Sequence, residues 1–376
     1  MNRRLLHTPE GVRDRYGSMV ANRRHIREQI LSRMRTYGYA EIEPPTLEYF
    51  DVFSGEMSTT SARKLYKFSD AEGNTLVLRP DFTPSVARCV SKYFAEGTDA
   101  VRLCYAGQTF LNGTGLQGKL REVTELGAEL MNEGSVAADA EIIALLIETL
   151  QCTGLKEFIV SIGDADYYKG ICEEAGIDEE TEAELRDALT ARNYHAAERL
   201  IDDLQMKEQL QVVLMLSELV GDESVIDRAR QLVTNARSLA AIDRLDAVYR
   251  TLADYGIAAH ISFDLGNLSH FNYYTGITFR AFARGVGDAV ARGGRYDRLL
   301  SRFGKDTPAI GFMISLDDLM STLQAQGVCL PEEEKPQIIT YEEEGASFRQ
   351  ALTQARELRA QGHPVILQQA GKGGQA

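Results

Sequence analysis

The chain has 376 residues, too many for one comfortable hydrophobic core, so one large domain with one or two smaller ones is expected. Its 41 basic and 55 acidic side chains leave a formal charge of −14, which opposes unguided binding to nucleic acid or to an anionic membrane. No apolar run approaches the ~20 residues that cross a bilayer, and no secretory signal follows the basic start MNRRLLH. Cys89, Cys104, Cys152, Cys172 and Cys329 show no CxxC spacing and the histidines no HxxxH. A disulfide framework and a metal site are therefore not expected, and reduced thiols in cytoplasm are.

In chain order, residues 18–38 carry Val20, Ile26, Ile30, Leu31, Met34 and Tyr37 at helical spacing, ending at Gly38. YAEIEPPTLEYF alternates and then breaks at Pro44-Pro45, a short strand followed by a new segment. TLVLRPDFTPSVARCV predicts a strand over 75–79, a turn at Pro80-Asp81 and a helix from about Pro84, with Thr83 as its N-cap. AVRLCYAGQTFL alternates Val101, Leu103 and Tyr105 as a strand; beyond it Leu120, Val123, Leu126 and Leu130 stand at near-helical spacing. An amphipathic helix over 134–151 puts Ile142, Leu145, Leu146 and Leu150 on one face, and FIVSIGD (158–164) is a buried strand.

From 165 to 259 the chain turns to long acidic amphipathic helices with almost no strand signal, expected to be an insertion between strands with a solvated acidic face. Strand signals resume at HISFDL and NYYTGITFRAFA, and PAIGFMISLDDLMSTLQ is a strand running into a helix. Beyond Pro331, IITYEEE, ASFRQALTQARELRAQG and PVILQQ read as one βαβ unit, too small to stand alone. The expected division is a core of 1–164 with 260–326, a helical insertion of 165–259, and a linker with a partial α/β segment over 327–376.

Two local patterns raise functional questions. GTGLQG (113–118) fits G-x-G-x-x-G after a strand, but a dinucleotide fold then needs a parallel strand with an acidic tip, and 134–151 is helical instead. Tyr273 and Tyr274 are adjacent in an aromatic, β-branched run; alternation along a strand would send them to opposite faces, one to a core or pocket and the other elsewhere.

Several segments in order resemble histidyl-tRNA synthetase, a class II aminoacyl-tRNA synthetase: TPEGVRD (8–14), YGYAEIEPPTLEY (37–49), LRPDFTPSVAR (78–88), YAGQTFLNGTGLQGKLREVTELGAE (105–129), NYYTGITF, GGRYD (293–297) and PAIGFMISLDDL (308–319). The resemblance spans roughly 5–325. It implies an α+β fold, an antiparallel sheet flanked by helices with the helical insertion and the short C-terminal βαβ piece, and a dimer formed near Pro45. It also implies a histidine pocket in which Asp81, Thr83 and Glu125 meet the ammonium, while Glu129 and one of Tyr273 or Tyr274 read the imidazole. No metal and no cofactor are implied.

The chain departs from that pattern where the family places arginines that neutralise charge on ATP and on the amino-acid carboxylate: Leu111, Ser269 and Asp318 stand there, with Gly113 for a glutamate and Ser315 for a usual glycine. Fixed cations stabilise such charge, and losing one donor costs on the order of 100-fold or more, so synthetase chemistry is not expected. Neither is tRNA binding, since about forty residues follow the linker where a full anticodon-binding domain would stand. A synthetase-like chain with these losses is similar to the family of regulatory subunits of ATP phosphoribosyltransferase. That family pairs with the short catalytic subunit at the first step of histidine biosynthesis, so the implied partners are that subunit, a second copy of this chain, and histidine as allosteric ligand. With its carboxylate partner lost, histidine binding by the isolated chain is expected to be weak unless the partner subunit, Arg88 or Arg121 supplies a cation.

Overall fold

Helix α1 (Ser18–Thr36) buries Ile26, Ile30, Leu31 and Met34 along one stripe, and the chain turns after it at Gly38, whose φ of +82° favours glycine. The strands β1 (Ala40–Glu41) and β2 (Leu47–Tyr49) flank the Pro44-Pro45 break, and β3 (Lys67–Ser69) and β4 (Thr75–Leu78) follow. β2, β4 and β3 make a small antiparallel sheet. The computed structural model describes residues 6–55, 60–94, 99–113, 120–203, 207–268, 273–331, 335–342 and 345–371.

The turn at Pro80-Asp81 leads into α2 (Thr83–Tyr93). Thr83 is its first helical residue rather than its cap: the Asp81 carboxylate accepts from the Thr83 N–H at 2.8 Å, which frees the threonine hydroxyl for another partner. β5 (Val101–Phe110) and β6 (Glu122–Met131) then pair antiparallel over ten residues. The near-helical spacing of Leu120 to Leu130 is therefore overridden. Leu126, Ala128 and Leu130 alternate into the core, while Glu125, Gly127 and Glu129 point to the other face. This antiparallel pairing also removes the dinucleotide-fold alternative; residues 114–119 of the GTGLQG segment lie outside the described residues.

Next come α3 (Val136–Cys152), capped by the Ser135 hydroxyl, and β7 (Phe158–Asp164). The helices α4 (Ala165–Glu174), α5 (Glu179–Thr190), α6 (Tyr194–Asp203) and α7 (Lys207–Met215) follow. Two more, α8 (Ser224–Gln231) and α9 (Ala236–Asp254), come after a two-residue strand β8 (Val220–Gly221) that the sequence pattern is too short to reveal. Then come β9 (Ile261–Asp264), β10 (Ile277–Ala283), β11 (Ala291–Arg295), β12 (Ala309–Ser315) and α10 (Leu316–Ala325).

Among the described residues one nine-stranded sheet runs β1-β5-β6-β12-β11-β10-β7-β9-β8. Only the pairs β1–β5 and β7–β9 are parallel. α3 packs on β6, β12 and α9, and α10 on β6 and β12.

Two rows across this sheet matter below. Glu129 stands opposite Gly311, then Gly294, then Thr278. Beside it Gly127 stands opposite Met313, then Arg292, then Arg280.

By contacts the chain forms two compact units, residues 1–14 with 23–329 and residues 15–22 with 330–376. In the second, β13 (Gln337–Tyr341) and β14 (Val365–Gln369) pair in parallel, and α11 (Ala346–Ala360) connects them, burying Ala351 and Ala355. Among the described residues no helix is long and apolar enough to cross a membrane.

Candidate ligand-binding site

Glu125 and Glu129 of β6 floor a cavity of about 130 Å³. Glycines make room for it: a Cβ on Gly311 would fall 1.7 Å from Glu129 Oε2, and one on Gly294 would fall 2.6 Å from the Tyr274 ring. Asp81 and Thr83, at the start of α2, form part of its wall with Leu111, Tyr296 and the Tyr273-Tyr274 pair.

Glu129 is 1% exposed and held by hydroxyls. Thr83 Oγ1 donates to its Oε1 at 2.9 Å, Tyr105 donates at 3.4 Å, and Tyr296 donates to Oε2. Burial pushes its carboxyl up to about 8, against the pull of the Tyr296 and Thr83 donors. Glu125 is also pushed up to about 8, by burial first and by the charge of Asp81 second; the Thr109 hydroxyl, Arg292 and Arg79 pull the other way. Near neutral pH both carboxyls therefore favour the protonated form. A cationic amino group entering here would meet groups able to ionise toward it.

The tyrosines correct the sequence expectation. Tyr273 and Tyr274 lie in a turn before β10, not in a strand, and both line the same cavity. Their ring centroids are 4.5 Å apart, and Tyr273 packs edge-on to Tyr296 at 6.2 Å. Alternation does not apply in this turn, so neither ring turns away. The turn is pinned from two sides: Lys169 Nζ of α4 donates to the Tyr274 carbonyl at 2.7 Å, and Thr275 N donates to the Arg295 carbonyl at 2.9 Å. Sequence reasoning missed Lys169, because nothing local joins a helix at 169 to a turn at 274.

Six of the seven expected site residues thus meet around one cavity: Asp81, Thr83, Glu125, Glu129, Tyr273 and Tyr274. Arg121 does not line it; its side chain packs on Gly11 and reaches toward Glu10 at 3.9 Å. Arg88 is engaged by the buried Glu48, with Nη2 2.7 Å from Oε1. The cation that does line the cavity is Arg292, one residue before GGRYD. Only the strand register, which puts it in a row with Met313 and Gly127, could have pointed to it.

Of the departures from the synthetase pattern, Leu111 is on the cavity wall. Asp318 lies in the first turn of α10, its N–H donating to the capping hydroxyl of Ser315 at 3.3 Å. Ser269 lies outside the described residues. Among the described residues no group of His, Cys, Asp or Glu is arranged to hold a metal.

Residues 11–319 match the family model described as histidyl-tRNA synthetase. A crystal structure described as an ATP phosphoribosyltransferase regulatory subunit/histidyl-tRNA synthetase from Bacillus halodurans superposes with a TM-score of 0.86 at 31% identity, covering 99% of this chain and 95% of that one. Histidyl-tRNA synthetase from Nostoc sp. PCC 7120 shares the fold with a TM-score of 0.78 at 20% identity, over 96% of this chain and 85% of that one. Fold and site thus define a class II, histidyl-tRNA synthetase-like protein.

Among relatives, the ATP phosphoribosyltransferase regulatory subunit of Ruminiclostridium cellulolyticum is 36% identical over 96% of this chain and 86% of its own length. That of Thermoanaerobacter pseudethanolicus is 38% identical over 96% and 94%. The chain belongs to the family of ATP phosphoribosyltransferase regulatory subunits.

Proposed function

We propose that this chain acts as the regulatory subunit of a short-form ATP phosphoribosyltransferase at the first step of histidine biosynthesis. In this reading it senses histidine in the Glu125–Glu129 cavity and relays feedback to its catalytic partner, as a dimer within a larger complex. The helices of 165–259 are an insertion into its synthetase-like core, and the chain works in the cytoplasm. The observation that carries the proposal is the acid-floored cavity beneath a tyrosine pair. Buried carboxyls suit an ammonium and an imidazole, and phenols supply directional hydrogen bonds without added charge. Leu111 and Asp318 offer no cation for a nucleotide α-phosphate, so adenylation has no electrostatic support at those positions.

The test is a pair of assays. Mixed with a short-form catalytic subunit, the chain should confer activity that histidine suppresses. Alone, it should show no histidine-dependent ATP–pyrophosphate exchange. Robust exchange would establish a divergent synthetase instead, and failure to affect the catalytic subunit would leave an amino-acid-binding paralogue serving another enzyme.

A further inference from the structure

We propose that Arg280 of β10 and Arg292 of β11 form an anion subsite beside Tyr274 that receives the α-carboxylate of the amino acid bound in the adjoining cavity. The proposal rests on the amino-acid reading of that cavity and supplies the carboxylate partner that Ser269, Arg88 and Arg121 leave unassigned.

The two arginines stand directly opposite each other in the antiparallel ladder. Side chains so placed have Cβ atoms about 5 Å apart, and like charges there destabilise a sheet. A fold with no use for the pair has reason to break it. Arg292 is steadied by Asp288, Nη2 to Oδ1 at 2.7 Å, which leaves most of its donors unused, and its side chain is 39% exposed. Arg280 is half-buried, and among the described residues its guanidinium makes no hydrogen bond or ion pair. Burial and the charge of Arg292 weaken its hold on its proton, and Tyr274, Asp264 and Asp288 oppose them only at longer range. An anion between the two guanidiniums would reverse that repulsion.

The space is in the right place and of a limiting size. Arg280 and Arg292, with Tyr274, Thr278 and Asn267, enclose a small cavity of about 20 Å³. That is room for about one water-sized group, hence for one carboxylate oxygen reaching in from the larger cavity but not for a nucleotide phosphate chain. Arg292, Gly293 and Tyr274 line this cavity and the larger one alike, so the two are neighbours across shared walls. An amino acid whose ammonium meets Glu125 and whose ring meets Glu129 would direct its third polar group toward this side. A planar guanidinium donates paired N–H bonds to a carboxylate, and a second one opposite adds charge without added flexibility.

The test compares histidine with histamine, which lacks only the carboxylate, by calorimetry on the full chain and on its complex with the catalytic subunit. Wild type should bind histidine more tightly than histamine. Arg280→Gln and Arg292→Gln should each weaken histidine by about tenfold or more while leaving histamine nearly unchanged, since an ionic hydrogen-bonded contact has about that effect. Arg292→Lys, which keeps the charge and loses the fork, should fall between. Urea denaturation of the Gln variants should show stability equal to or above wild type, because a like-charge pair has been relieved. If both variants bind histidine like wild type, or lose histidine and histamine equally, the subsite is wrong while the cavity reading stands. If wild type binds no histidine in either form, the amino-acid reading fails and the subsite with it.

Discussion

Replacing Glu125 with glutamine should change how the stability of this protein depends on pH. Glutamine mimics the protonated acid in size and polarity but cannot ionise. In the folded chain the Glu125 carboxyl is pushed from 4.5 to about 8, chiefly by burial. The folded state therefore holds a proton that the unfolded state has released across the window from about 4.5 to about 8. The group's contribution is fully present below the unfolded value and is lost as pH rises through the folded one. Each pH unit inside that window costs about 1.4 kcal/mol for one titrating group. Between about pH 5.5 and about pH 7.5 the wild-type chain should thus lose on the order of 2–3 kcal/mol more than the Glu125→Gln variant. Glu129 and Asp164, pushed up to about 8 and about 7, titrate in both proteins and cancel in the comparison. Urea denaturation of both proteins at several pH values reads the difference directly. Parallel stability profiles, or a steeper one for the variant, would refute the claim that Glu125 is held protonated by its surroundings.

The same argument predicts that histidine binding near neutral pH releases a proton from Glu125, because an ammonium favours the ionised acid. Binding enthalpies in buffers of different ionisation heat should show that release in wild type and not in Glu125→Gln. Asp317, 4% exposed, accepts from Arg13 at 3.0 Å, Arg23 at 2.9 Å and the Thr124 N–H at 3.1 Å. Asp317→Ala removes the buried carboxylate paired with the largely buried Arg23, which keeps its contact to the Thr124 hydroxyl, and should cost about 3–5 kcal/mol in urea denaturation, whereas Arg13→Ala, at an exposed partner, should cost about 1 kcal/mol or less. Gly294→Ala drives a methyl into the Tyr274 ring and should cost about 1–3 kcal/mol in thermal or urea unfolding. The same change should abolish measurable histidine binding in calorimetry; unchanged affinity would mean that Tyr274 does not shape the site.

The local signals that survived are those whose cause is local. FIVSIGD is strand β7 over the same residues, and Ser315 and the residues after it become a capped helix because a hydroxyl and a following N–H are three residues apart. Apolar spacing failed between Leu120 and Leu130, where ten residues of pairing with β5 outweighed a helical rhythm of four leucine and valine positions. The tyrosine pair was misread for a related reason. Alternation holds only inside a strand, and whether Tyr273 lies in one is fixed by a lysine a hundred residues upstream and by the β11 carbonyl that holds Thr275. Asp81 and Thr83 do come together on the cavity wall, although Thr83 is the first helical residue rather than the cap the sequence suggests. Arg292 was not legible, because a side chain's place in a cross-sheet row depends on register with two other strands, which no single segment encodes.

The central claim is that the cavity of Glu129 and Tyr274 is where histidine acts on the catalytic partner. It is tested most directly by histidine inhibition of the reconstituted complex carrying Asp81→Ala or Tyr274→Phe in this chain. Both complexes should keep their activity without histidine, since neither residue belongs to the partner's active site, and both should need about tenfold or more histidine for half-inhibition. Inhibition curves that overlay the wild-type complex would show that feedback enters elsewhere and that the tyrosine pair is packing alone.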